Sequence, residues 1–149
     1  MVEYSPRLHD ECFSFLDRED ASALLSGMEM VEFQAGSLLY AADDPADCLY
    51  IVVAGRVAVQ KETGFGDRMQ VVALFYPGAP LGESGLLAGK ARGATLTAVS
   101  DTRLLVLSRQ AFSNISIHNP PLAVKILTWL LEKLALRLQK SSERLAHVL

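Results

Sequence analysis

Cysteine and histidine are scarce in this sequence of 149 residues. The two cysteines, Cys12 and Cys48, are far apart and form no CxxC pair, which excludes a disulfide framework and favours small hydrophobic side chains in a reducing compartment. None of the three histidines falls in a segment with strand character. Because a metal enzyme built on a β-barrel needs several histidines and a carboxylate that converge from its strands, we expect neither a metal site nor a catalytic residue.

Long apolar runs and an excess of positive charge are also missing. No stretch approaches the ~18 uncharged apolar residues that a membrane span requires. The first residues, MVEYSPRLHDEC, are charged and lack the apolar core of a signal peptide. The net charge is −3, whereas a nucleic acid partner calls for clustered Lys and Arg. We therefore expect a cytoplasmic protein whose main partner is neither a membrane nor a nucleic acid.

Both ends of the chain are predicted to be helical. Residues 1–27 offer Asp17 or Asp20 as an N-cap, next to an acidic first turn. Residues 109–149 contain the sequence Asn-Pro-Pro at 119–121, which is predicted to break the chain. Glycine and proline are absent after this point. The remaining residues are therefore predicted to form one helix ~40 Å long, at 1.5 Å per residue.

The middle of the chain, residues 28–108, has the character of many short strands. Its segments are rich in β-branched, leucine and aromatic residues, and glycine, proline and aspartate mark the turns between them. Short strands at even spacing with no long helix between them indicate an antiparallel β-roll or jelly-roll barrel. The predicted fold is thus mainly β with flanking helices. The predicted strands are 28–33, 37–40, 49–54, 56–61, 69–75, 93–99 and 102–108, and one predicted turn is 62–67.

The last predicted helix carries a seam of apolar residues spaced alternately by three and four positions. This a/d heptad pattern is typical of helices that pair, so we expect a homodimer through this helix. Other apolar residues lie off the seam, which allows a second face to cover the barrel. The alternative is a single broad face that packs only on the chain's own core. The seam is Val124, Leu127, Leu131, Leu134, Leu138, Ser141, Leu145 and Val148, and the off-seam residues are Ile126, Trp129, Leu130 and Leu136.

Residues 81–96, LGESGLLAGKARGATL, have the features of an anion-binding loop. A short helical turn at the start of the loop would point the amides of Gly85 and Leu86 outward, and a helix start favours negative charge. Arg92 would add a forked donor that is always charged. Gly93 would let its own amide approach the anion with no side chain in the way.

Glu83 suits a sugar hydroxyl, since its ionised carboxylate only accepts hydrogen bonds and would repel an anion. At this point the segment resembles the phosphate-binding cassette of the cyclic nucleotide-binding domain family. Residues 36–57 are similar to the early strands of that family, and 137–145 to the dimer helix of its bacterial catabolite activator proteins. The cassette residues that match in order are Leu81, Gly82, Glu83, Gly85, Leu86, Arg92, Gly93, Ala94, Thr95 and Leu96.

The resemblance implies one sensor domain over residues 1–149 and a role for each matching residue. Arg92 and the amides of Gly85 and Gly93 would hold the cyclic phosphate. Glu83, with the Gly82 backbone, would hold the ribose 2′-hydroxyl. The serine pair at 141–142 would contact the purine. Cyclic AMP is the expected ligand, with cyclic GMP as the alternative, because Gly93 stands where guanine-preferring relatives carry threonine. The implied ligand-binding residues are Gly82, Glu83, Gly85, Leu86, Arg92, Gly93, Thr95, Ser141 and Ser142.

The resemblance also implies that ligand binding is coupled to the last helix and to the dimer, as in Crp/Fnr-type transcriptional regulators. No DNA-reading element is recognisable in this sequence. The alternative is a dimerisation module that binds no ligand, in which Arg92 and Glu83 form a structural ion pair in a vestigial pocket. The aromatic residues Tyr50, Tyr76 and Trp129 are interpreted as packing residues.

Overall fold

The computed structural model of the chain describes residues 1–64, 66 and 68–148. Residues 65 and 67 of the predicted turn at 62–67, and the last residue of the predicted C-terminal helix, therefore lie outside the described residues. Within them, the helices are α1 (Pro6–Cys12), α2 (Arg18–Ser26), α3 (Arg109–His118) and α4 (Pro120–Val148), and the strands are β1 (Glu29–Phe33), β2 (Leu38–Tyr40), β3 (Cys48–Ala54), β4 (Val57–Glu62), β5 (Met69–Phe75), β6 (Pro80–Leu81), β7 (Thr95–Ala98) and β8 (Thr102–Ser108).

The strands form two antiparallel sheets of four. The first sheet has the order β1-β8-β3-β6 and the second has the order β2-β7-β4-β5. This arrangement, with helices on its flanks and a long C-terminal helix, confirms the predicted β-roll. Strand β6 was not predicted, because two residues are too few to show a period. It pairs Leu81 with Tyr50 of β3 and so places the following loop beside that strand.

The helix ends follow their capping residues. Of the two predicted caps of α2, Asp17 is the one used: its carboxylate accepts a hydrogen bond from the Asp20 amide at 2.7 Å. The predicted break after α3 is shorter than expected, because only Asn119 lies between the two helices. Pro120 and Pro121 belong to the first turn of α4, where a missing N–H costs no hydrogen bond.

The first sheet separates two hydrophobic cores. Alternate residues of a strand point to opposite faces, so Leu104 of β8 faces the interior of the roll while Leu105 faces the helices. Both residues are fully buried. The core inside the roll consists of Val52, Val57, Leu81, Leu96 and Leu104, with Tyr40, Tyr50 and Phe75 packed against it.

Helix α4 has one buried and one exposed apolar face. The buried residues Ile126, Trp129 and Leu130 join the helical core, where Trp129 stacks on Phe15 with ring centroids 4.7 Å apart. Leu136, the remaining off-seam residue, is exposed. The predicted seam is exposed at Val124, Leu127, Leu131, Leu138, Leu145 and Val148.

In the described part of the chain, no helix combines the length and the apolar character needed to cross a bilayer. The dimer predicted from the exposed seam stays a prediction.

Candidate ligand-binding site

A cavity of about 390 Å³ lies at the mouth of the roll. Its walls are the start of a 3₁₀ turn at Glu83–Leu86, residues 92–94 with Leu96, parts of strands β4 and β5, and the second half of α4. This volume falls within the range of small-molecule sites, roughly 300–1,000 Å³. Three seam residues of α4, Leu134, Leu138 and Ser141, also line the cavity, so the site and the exposed seam share side chains.

Arg92 is a buried cation on the wall of this cavity, only 3% exposed. Its guanidinium donates to the carbonyl oxygens of Gly82 at 2.9 Å and of Cys48 at 3.0 Å, and reaches the Cys48 Sγ at 3.3 Å. Among the described residues, no carboxylate forms an ion pair with it. A buried charge without a counter-charge is costly unless something else compensates for it.

Two tyrosine rings give Arg92 part of that compensation. The guanidinium carbon lies 4.3 Å from the ring centroid of Tyr40 and 5.6 Å from that of Tyr50, and the two rings stack 6.1 Å apart. Burial raises the pKa of Tyr40 to about 12, although Arg92 acts in the opposite direction. The ring therefore stays neutral and attracts the cation through its π face rather than as a phenolate.

The sequence did not identify this aromatic contact. Tyr50 was interpreted as a packing residue and Tyr40 was given no role. Tyr50 of β3 pairs with Leu81 of β6, and this pairing brings Tyr50 beside the loop that Arg92 contacts. The pairing joins distant parts of the chain, so it is visible only in the three-dimensional structure. No local pattern in the sequence links either tyrosine to Arg92.

Glu83 faces α4 and not Arg92. Its carboxylate lies 3.8 Å from the guanidinium of Arg137, and the two side chains are 33% and 28% exposed. Arg137 also donates to the Pro80 carbonyl and lies 4.2 Å from the Phe75 ring centroid. Burial lowers the pKa of the Arg137 guanidinium, and the Glu83 carboxylate opposes that effect. The alternative of a structural Arg92–Glu83 ion pair is therefore wrong, and Arg137 is a site residue that the sequence reading missed.

Two glycines of the loop are required by packing. Gly82 adopts a φ of 66°, and a Cβ there would overlap the Arg92 guanidinium. A Cβ at Gly85 would overlap the backbone of Cys48. We predicted an outward amide at Gly85, but that amide donates to the Gly82 carbonyl at 3.0 Å and closes the 3₁₀ turn. Gly93 differs, because no atom lies within 4 Å of a Cβ built there.

A comparison with protein families supports the predicted resemblance. A family model described as the cyclic nucleotide-binding domain matches residues 30–119, more than half of the chain. The chain belongs to the cyclic nucleotide-binding domain family. It is therefore a regulatory, ligand-binding domain, and the match covers both the roll and the 81–96 loop that carries Arg92.

Comparison with individual relatives supports the same family assignment. The regulatory subunit of the cAMP-dependent protein kinase of Dictyostelium discoideum is 35% identical over 102 residues, which are 67% of this chain and 31% of that subunit. The chain thus spans about a third of that relative's length. The catabolite activator protein of Thermus thermophilus superposes with a TM-score of 0.74 at 28% identity, over 97% of this chain and 63% of the other.

A cyclic nucleotide-binding domain from Methylobacillus flagellatus KT has the same fold over nearly its whole length. The TM-score is 0.84, the sequence identity is 24%, and the superposition covers 95% of this chain and 94% of that one. At this identity the likeness shows the fold alone.

Not every predicted ligand residue of this cyclic nucleotide-binding domain lines the cavity. Thr95 accepts a hydrogen bond from the Ala42 amide at 3.0 Å and so holds the loop after β2. Leu86 packs on the helical core. Ser142 is exposed on α4 and is not part of the cavity wall. The predicted residues that do line it are Gly82, Glu83, Arg92, Gly93 and Ser141.

The described residues contain no cluster of three or more His, Cys, Asp or Glu side chains that could hold a metal ion. Cys12 and Cys48 are both buried free thiols, as small hydrophobic residues would be. The cavity has the cation of Arg92 in one wall and the hydrogen-bond acceptor Glu83 in another.

Proposed function

We propose that this chain is a cyclic AMP sensor in which Arg92 binds the cyclic phosphate. The observation that carries the proposal is a buried guanidinium, without a carboxylate partner among the described residues, on the wall of an open cavity. A cyclic phosphodiester carries one negative charge and oxygens that a guanidinium fork can bind. The ligand would thus supply the missing counter-charge. Gly93, whose surroundings are open, would contribute its amide.

Glu83 would accept a hydrogen bond from the ribose 2′-hydroxyl, with the Gly82 backbone beside it. Its present partner is Arg137 of α4 at 3.8 Å, so a ribose bound here would meet both the loop and the helix. Ser141 lines the cavity and would contact the base. Two points favour cyclic AMP over cyclic GMP. Gly93 has no side chain, whereas guanine-preferring relatives carry threonine at this position. One relative of the chain is the regulatory subunit of a cAMP-dependent protein kinase.

Ligand binding would be coupled to α4 and to a dimer. The exposed seam of α4 is the surface through which a second copy would pair. Because Leu134, Leu138 and Ser141 line the cavity as well, a partner helix on the seam would adjoin the bound ligand, and the partner's serine pair would bring Ser142 to the site. A ligand shifts such an equilibrium only by its differential affinity for the two states, and a complete switch needs about 10⁴-fold.

Calorimetric titration with cyclic AMP and cyclic GMP tests the ligand. The unaltered chain is expected to bind cyclic AMP more tightly than cyclic GMP. Arg92→Ala is expected to cost ~2–5 kcal/mol, or about one and a half to four decades of affinity, since a buried phosphate would lose its charged partner. Arg103→Ala, which removes an exposed arginine of β8, is the control.

The Arg92 side chain also supports the fold through the Gly82 and Cys48 carbonyls, so a second variant is needed. Arg92→Lys keeps the charge, and thermal unfolding should show that it is folded. Affinity lost in a folded Arg92→Lys supports the proposal. If the folded, unaltered chain binds neither nucleotide, the proposal is wrong and the vestigial pocket is the better reading.

Light scattering tests the dimer separately. Leu131 lies on the seam, is exposed and does not line the cavity, so Leu131→Lys should give a monomer that still binds nucleotide. Gln139→Lys introduces the same charge off the seam and should remain a dimer. A monomeric unaltered chain would refute pairing without touching the ligand proposal.

A further inference from the structure

A second surface of the molecule is left unexplained by nucleotide binding. A groove of about 740 Å³ runs between α4 and the segment 72–79, which comprises the second half of β5 and the turn after it. It adjoins the nucleotide cavity and shares Lys61, Phe75, Arg137 and Ser141 with it. We refer to it as the basic groove, for the cations described next.

Four cations on one face of α4 border the basic groove. Lys133, Arg137, Lys140 and Arg144 follow one another at intervals of four, three and four residues, so they form a single stripe along the helix. Like charges at such spacings destabilise a helix. Arg137 is engaged by Glu83, but within the described residues the other three have no ion-pair partner. The stripe thus concentrates positive charge on one face of a chain whose net charge is −3.

The chain itself supplies almost no negative charge there. Glu11 is the only acidic residue that lines the groove among the described residues, and it forms an i,i+4 pair with Arg7. Lys61 adds a further cation from β4. Apart from Arg137, which pairs with Glu83, the cations of the groove therefore have no ion-pair partner among the described residues.

The wall of the groove opposite α4 is apolar, and α4 itself adds one apolar residue, Leu136. Val72 and Leu74 of β5, Tyr76 of the following turn and Leu136 of α4 are between 41% and 52% exposed. Tyr76 was predicted to be a packing residue, and its exposure corrects that interpretation. Strand β5 is the edge of its sheet, and none of its seven residues is charged or proline, the usual protections of an edge. Its register with β4 shifts at Val72, so the regular part of the edge begins at Ala73.

A second copy of this chain does not match the charge of the groove. In a parallel pair of α4 helices, Arg137 and Arg144 take the heptad positions that face the e positions of the partner. The e positions of this seam within the described residues are Thr128, Ala135 and Ser142, which carry no carboxylate. The homodimer would therefore leave the cationic stripe unneutralised.

A nucleic acid matches the cations but not the apolar wall. Phosphate backbones are bound by charge, and a net charge of −3 repels a long polyanion. Aliphatic and aromatic side chains beside a row of cations fit a partner that carries both apolar groups and carboxylates.

We propose that the basic groove binds an acidic segment of a partner protein, with apolar side chains against Val72, Leu74 and Tyr76 and carboxylates on Lys133, Lys140 and Arg144. The six residues named for these contacts line the basic groove and not the nucleotide cavity, so the proposal does not depend on nucleotide binding. It gives the domain a place at which a partner can be held.

The probe is a fluorescein-labelled peptide of five Glu-Leu repeats, compared with five Gln-Leu repeats and a single-stranded oligonucleotide. Fluorescence anisotropy is expected to show binding of the Glu-Leu peptide that weakens with salt, and about tenfold or more loss in Lys140→Glu/Arg144→Glu. Arg56→Glu/Arg103→Glu makes the same charge change on exposed residues outside the groove and should leave binding unchanged. Backbone NMR shifts on peptide addition should concentrate at 72–79 and 133–144.

Four results would overturn the proposal. The first two are equal binding of the Glu-Leu and Gln-Leu peptides, and equal loss of Glu-Leu binding in the two double variants. The third is binding of the oligonucleotide in place of the Glu-Leu peptide. The fourth is a change in the backbone NMR shifts at 72–79 that grows with protein concentration in the absence of peptide. The last of these would assign the groove to a second copy of the chain. Thermal unfolding of Lys140→Glu/Arg144→Glu, compared with the unaltered chain, checks that this variant is folded.

Discussion

Removing the Arg137 side chain is expected to release the second half of α4 from the roll. All buried residues of this helix lie between Leu122 and Leu130 in the described part of the chain. Beyond them, Arg137 joins the helix to the roll through the Pro80 carbonyl, the Glu83 carboxylate and the Phe75 ring. Arg137→Ala deletes all three contacts at once.

The magnitude follows from the three contacts. A hydrogen bond from a charged donor contributes ~1.5–3 kcal/mol, a partly exposed ion pair ~1 kcal/mol at most, and a cation–π contact ~0.5–1 kcal/mol. Because the contacts share one side chain and are not additive, we expect a loss of ~2–3 kcal/mol in local stability. That corresponds to roughly 30- to 150-fold more frequent opening of the helix end.

Amide hydrogen exchange of the ligand-free chain is the assay. Protection should fall over residues 134–148 in Arg137→Ala and remain unchanged over 122–130, where the helix is held by the core. Gln139→Ala is the matched control, since the side chain of Gln139 donates a hydrogen bond to Glu143 one turn along the same helix and not to the roll. Equal exchange of 134–148 in Arg137→Ala and in the unaltered chain would refute Arg137 as the anchor of α4.

Three further outcomes are expected. Gly85→Ala should destabilise the fold by ~1–3 kcal/mol or more in urea denaturation, because its Cβ meets backbone, whereas Gly93→Ala should be tolerated. Tyr40→Leu should weaken cyclic AMP binding ~3- to 30-fold by calorimetry, because the cation–π contact with Arg92 is lost, while Tyr40→Phe should retain affinity. Burial raises the pKa of Cys12 from 9.0 to about 11, so the folded state loses stability as pH rises through that window, and denaturation series should fall less steeply in Cys12→Ala.

The roll and its helices could be predicted from the sequence because local patterns specify them. The segments at 49–54 and 102–108 consist largely of residues that favour strands, and glycine, proline and aspartate mark their ends. The buried and exposed apolar faces of α4 follow from its period in the same way. Strand β6 escaped prediction because a two-residue pairing leaves no period to read.

The contacts of the site depend on approaches between distant parts of the chain, and no local pattern specifies these. Gly85 was assigned to the ligand for an outward-pointing amide, yet its lack of a side chain is needed where the loop crosses the backbone of Cys48. Arg137 falls beside the seam as an ordinary surface cation in the sequence. Its role depends on how closely α4 approaches Glu83 in the folded chain.

The most direct test of the central claim is a crystal structure of the chain grown with cyclic AMP. We expect the cyclic phosphate within hydrogen-bond distance of the Arg92 guanidinium and the ribose 2′-hydroxyl on the Glu83 carboxylate. A nucleotide bound elsewhere, or an empty cavity in which Arg92 still contacts only Gly82, Cys48 and the tyrosine rings, would contradict the account.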